Sequence, residues 1–112
     1  MKAGFVFIFR QGRKPLSEDE QKRRTEEVRA WALQQIKDGR GLEPRVLGDQ
    51  SIRLGDSAGA TSDGAVIALN FIQATDFDEA VNIAKTHPGL RYGVSIEVRT
   101  WTDPRAVSGP RQ

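Results

Sequence analysis

Short apolar runs alternate with longer charged stretches along the chain, and the spacing within each predicts an element. Phe5-Val6-Phe7-Ile8-Phe9 is an aromatic and β-branched run of strand length. Side chains alternate across a strand, so Phe5, Phe7 and Phe9 point one way and Val6 and Ile8 the other. Both faces are apolar, and both need cover. Gln11 to Leu16 is a polar connection containing Gly12 and Pro15. Ser17 followed by Glu20 then makes a capping box with acids in the first turn. The helix it opens is predicted to run to about Asp38 and stop at Gly39. Its apolar stripe is Val28, Trp31, Ala32, Gln35 and Ile36, with Leu33 at the edge. Residues 18 to 27 are mostly charged, so this half is expected to stand clear of the core.

Leu42 to Leu47 predicts a second strand, marked as an edge by Pro44. Gly48-Asp49-Gln50 reads as a turn, with Ser51 to Leu54 as the return strand of a hairpin. Gly55 to Gly64 is a polar, flexible loop of small residues. Ala65 to Ile72 is a strand apolar on both faces. Asp76 with Glu79 repeats the capping box and opens a shorter helix, with Phe77, Ala80, Val81 and Ala84 inward. That helix is expected to end near His87, because Pro88-Gly89 cannot continue it. Val94 to Trp101 is the last strand, with Val94, Ile96 and Val98 on one face. Ser95, Glu97, Arg99 and Trp101 share its other face. Residues 1–102 are read as one α+β domain and 103–112 as a flexible tail.

The order β-α-β-(β)-β-α-β folds into a ferredoxin-like split βαβ, an antiparallel sheet with both helices on one face. The helices cover one apolar face only. A second copy of the chain, sheet against sheet, is the simplest cover for the other, giving a homodimer. A loose cavity under the helices is the alternative.

Composition narrows the function classes. Hydrophobic residues are 38% and charged ones 29%, the balance of a globular protein. Seventeen Lys and Arg against fifteen Asp and Glu leave a net charge of +2, and the basic residues 22–24 are interleaved with acids. That alternation describes a solvated helix face rather than a nucleic-acid surface. The absence of cysteine excludes disulfides, a thiol nucleophile and thiolate metal sites. With one histidine, zinc is not expected either, and no carboxylate spacing recommends magnesium or calcium. No apolar run has membrane length, and no signal peptide opens the chain, so a cytoplasmic location and no membrane partner are expected. The glycines at 55, 59 and 64 match neither a P-loop nor a dinucleotide fingerprint, and no Gly-x-Ser-x-Gly elbow occurs. No cofactor is expected.

Three stretches, AGFVFIFR, GAVIALNFIQATDFDEAVNIAKTHP and GVSIEVRTW, together resemble the YCII-related proteins, including the branch named for a DGPF motif. The resemblance implies a dimeric α+β barrel. It does not extend to the family's marks of function. Only Asp63-Gly64 stands where DGPF would be. The His-Asp pair proposed for the family is absent, since the first helix has no histidine and His87 precedes Pro88.

The candidate chemistry rests on few residues. His87 is the only side chain with an ordinary pKa near neutrality. It is either a general acid or base, oriented by Glu97 or Glu27, or an imidazolium capping the last carbonyls of its helix. Arg99, Glu97 and Trp101 share a strand face and form either an anion or aromatic site or a dimer seam. Arg10 ends the first strand as a solvated residue or an anion contact, and Trp31 is read as core. Three functions follow: binding of a small apolar or aromatic ligand, a cofactor-independent enzyme using His87, or a protein-interaction module. A site for the first needs a pocket; the second needs the pocket and a His87–carboxylate pair; the third needs neither.

Overall fold

The computed structural model describes residues 2–12, 14–55, 64–103 and 105. The elements run β1 (Ala3–Arg10), α1 (Glu18–Lys37), β2 (Glu43–Val46), β3 (Val66–Ala74), α2 (Phe77–Lys85), a 3-10 turn (Pro88–Tyr92) and β4 (Ser95–Thr100). The strands form one antiparallel sheet in the order β2-β3-β1-β4. This is the ferredoxin-like split βαβ arrangement, with β1 and β3 at the centre. Most of the Gly55–Gly64 loop, and most of the chain after Thr102, lies outside the described residues.

Both helices begin as their sequences require. Ser17 Oγ accepts from the Glu20 amide at 3.1 Å, and the Ser17 amide donates to Glu20 Oε1 at 3.0 Å. At α2, Asp76 Oδ1 accepts from the Glu79 amide at 2.8 Å. The Glu79 carboxylate reaches back one residue further, to the Thr75 amide at 2.8 Å. At its C-terminal end α1 closes at Asp38, and the chain leaves through Gly39 at φ 77°, a left-handed conformation that favours glycine.

The core lies between the helices and one face of the sheet. Phe5, Phe7 and Phe9 of β1 are buried there with Ile72 and Ala74 of β3 and Ala80, Ile83 and Ala84 of α2. Trp31 from α1, Leu42 and Val94 complete it. Register places Val98 opposite Phe7 and Ile96 opposite Phe9, so the apolar face of β4 joins this side. A β-bulge at Phe9/Arg10 adds a feature that strict alternation would not allow. Phe9 pairs with Ala68 and Arg10 with Val66, and the intervening Ile67 packs against the core alongside Ala68.

Three expectations are corrected. Residues 51–54 form no strand, and Ile52 and Leu54 lie exposed. The partner of β2 is β3, whose longer apolar run offers the better ladder, and β2 remains an edge as Pro44 requires. On α1, Ile36 is exposed while Trp31 and Gln35 are buried, because the nearest backbone to this helix is the 3-10 turn. On α2, Ile83 is buried and Phe77 is 47% exposed, its ring 6.2 Å from that of Phe5 at the margin of the core.

The Asp76 cap sets where α2 starts. Asp76→Ala is expected to cost about 1 kcal/mol of stability in urea unfolding; an unchanged midpoint would show that the Glu79 contact alone holds the helix start.

Candidate functional site

The end of α2 is built by an ordered set of contacts. Thr86 caps the helix, its hydroxyl donating to the Ile83 carbonyl at 2.6 Å and accepting from Trp31 Nε1 at 2.8 Å. Helix α1 is thereby tied to α2. The next residue, His87, begins the 3-10 turn, with Pro88 in the first turn where its missing N–H costs nothing. The Gly89 amide donates to His87 Nδ1 at 2.9 Å. The imidazole packs 4.7 Å from the Phe9 ring and 4.7 Å, edge-on, from Trp31. It is buried, and burial lowers its pKa to about 4.

The imidazolium cap is therefore corrected. The ring accepts a hydrogen bond at the start of a turn instead of donating at the end of a helix. Desolvation outweighs any attraction of the helix end for a cation. With Nδ1 accepting, the proton of the neutral ring sits on Nε2. Nε2 has no protein partner among the described residues, yet none of their fully buried side-chain nitrogens and oxygens lacks one. Nε2–H thus keeps access to the space beside it.

That space is a cleft of about 530 Å³ on the helix side of the sheet. Val28 and Ala32 of α1 face it across Phe9, Pro44, Val46 and the bulged Ile67. His87, Gly89 and Val94 continue the lining, and Arg24, Thr25 and Arg29 follow the α1 side. The wall on α1 is anchored by Glu27, which accepts from Tyr92 Oη at 3.0 Å and from the Arg91 guanidinium. The Arg91 bond and then the Tyr92 bond hold the Glu27 carboxyl below its ordinary pKa.

The other candidate residues gather elsewhere. Register sets Glu97 opposite Ile8 and Arg99 opposite Val6, on the face of the sheet away from the helices. Arg10 lies 3.4 Å from Glu97, and Arg99 lies 3.6 Å from the same carboxylate. Trp101 lies across Gly4, where an added Cβ would come within 2.8 Å of its Nε1, and meets the Phe71 ring edge-on at 5.6 Å. Val6, Ile8, Leu69 and Phe71 make the apolar centre of this face. The sheet thus separates His87 from Glu97, and Glu27 is engaged by Arg91 and Tyr92. Neither carboxylate proposed to orient His87 does so. Among the described residues, no three His, Cys, Asp or Glu side chains gather to hold a metal ion, and no helix is long and apolar enough to cross a membrane.

Sequence reasoning placed Val28 and Ala32 on the inward stripe of α1 and His87 beside a cleft, while Arg10, Arg99 and Trp101, its candidates for ligand contact, lie outside this lining. It missed Val46 and Ile67 as cleft walls, because only the strand pairing and the bulge bring them there. Compared with known protein families the chain matches none, and comparison with curated proteins yields no relative.

The folded pKa of His87 lies below its unfolded value of 6.5, so the contribution of the neutral ring is complete above pH 6.5. It is lost as the pH falls through about 4. With allowance for solvent at the cleft, the loss is expected to be about 2 kcal/mol. Urea titrations across this range should show that slope in the wild type and a flatter one in His87→Asn; equal slopes would remove His87 as its source.

Proposed function

We propose that this protein binds a small apolar or aromatic compound in the cleft between α1 and the sheet, as a homodimer joined through the opposite sheet face. The observation that carries the binding reading is the cleft itself, apolar in its walls, with one neutral N–H donor at His87. A concave, mainly apolar site with a few placed polar groups is the usual form of a small-molecule site, and its volume lies in the usual range. Among the described residues no carboxylate orients His87, which favours binding over acid–base catalysis. A histidine with a pKa of about 4 is a weak base near neutrality and serves better as a fixed donor.

The dimer reading is supported by the sheet face away from the helices, which no helix among the described residues covers. Its centre is Val6, Ile8, Leu69 and Phe71 beside Trp101, and its margin carries the Arg10–Glu97–Arg99 cluster and the Arg45–Glu43 pair. An apolar centre with a charged rim is the anatomy of a protein interface. Arg10, Arg99 and Trp101, two of them ion-paired with Glu97, suit that rim better than a ligand site. The resemblance of the chain to YCII-related proteins supports the same dimeric α+β barrel.

Calorimetry with naphthamide, a neutral aromatic probe, tests the cleft. The wild type is expected to bind it, and Ala32→Phe, whose ring would occupy the cleft, to weaken binding by about tenfold. No binding, or equal binding by both, would overturn the reading. Sedimentation tests the dimer separately: Leu69→Lys should shift a dimeric wild type to monomer, and a monomeric wild type would refute it.

A further inference from the structure

We propose that the ligand is an amphipathic organic anion, an apolar or aromatic body bearing a carboxylate, with the carboxylate held by Arg24 and Arg29. The inference rests on the cleft-binding reading above and adds the chemical class. The side chains lining the cleft include two guanidinium groups and no carboxylate. Elsewhere in the chain, Arg10, Arg40, Arg45, Arg91 and Arg99 each meet an acidic side chain. Arg24, which is half-buried, and the exposed Arg29 have no ion-pair or hydrogen-bond partner among the described residues; Arg23 and Arg53 share that state, but only Arg24 and Arg29 line the cleft.

Helical spacing makes this a designed edge rather than a scatter of charge. Arg24, Thr25, Val28, Arg29 and Ala32 fall on one side of α1, so the cations flank the apolar residues that face the sheet. The acid nearest them in sequence on the inner part of the helix, Glu27, is drawn away by Arg91 and Tyr92. Glu26 lies beside Arg29 on the outer side of the helix, but among the described residues no carboxylate lines the cleft itself. A guanidinium presents a planar fork matched to a carboxylate, and beside low-dielectric walls such a contact is stronger than on an open surface. His87 adds a donor without adding charge, so it can meet a second oxygen or the body of the ligand.

Naphthoate and naphthamide share a ring system and differ in charge, and calorimetry at low salt compares them. Naphthoate is expected to bind about tenfold more tightly, with the difference shrinking as salt is added. The double variant Arg24→Gln, Arg29→Gln should bind naphthoate no more tightly than it binds naphthamide, the two being compared on the same variant. Equal binding to the wild type would overturn the anion assignment and leave the cleft reading standing. A preference for naphthoate that survives the double variant but disappears in Arg99→Gln would move the anion to the other sheet face and overturn it too. Failure of both compounds to bind would overturn it together with the cleft reading.

Discussion

Helix α1 is held to the rest of the fold above all at a joint where Trp31 packs edge-on against His87 and donates its indole N–H to Thr86. One element ends at that joint and another begins. Thr86 closes α2, His87 opens the 3-10 turn, and Phe9 of the central strand lies beneath. The Glu27–Arg91–Tyr92 contacts add a polar clasp a turn away. Because α1 is fastened there, its neighbouring residues Val28 and Ala32 overhang the sheet and leave a cleft instead of a closed core. The geometry that fastens the helix also creates the candidate site.

His87 has its character from the same joint. A histidine at a helix end in water would gain from the dipole as a cation. Here aromatic neighbours and burial remove the water that would solvate that charge, and the Gly89 amide occupies the nitrogen that would otherwise take a proton. The outcome is a ring fixed in one tautomer, useful as a donor and poor as a base at neutral pH. The sheet acts as a partition between this ring and the Arg10–Glu97–Arg99–Trp101 group, since alternation along β1 and β4 sends the two sets to opposite faces.

Much of the local structure was legible because its signals are short-range. The pairs Ser17/Glu20 and Asp76/Glu79 act within one helical turn, and both helices start at them. Alternation in Phe5–Phe9 and Val94–Trp101 correctly sorted both strands into faces, and Pro44 marked an edge. The failures were long-range. Residues 51–54 resemble a strand but join no sheet, although the outer edge of β2 stays open, and Ile52 and Leu54 lie exposed. Ile36 fits the apolar period of α1, yet exposure depends on what lies opposite it, and the helix contacts its neighbours through Trp31 and Gln35.

The sequence by itself determined the two helices and the four strands of the sheet, their order, the two-sided apolar character of β1 and the presence of a single histidine before Pro88, because these depend on residues near one another in the chain. Tertiary structure alone decided the bulge that turns Ile67 toward the helices, the meeting of Pro44 and Val46 with α1 across the cleft, and the separation of His87 from Glu97. It also decided the protonation of His87, since a pKa follows from the surroundings that packing creates rather than from the residue.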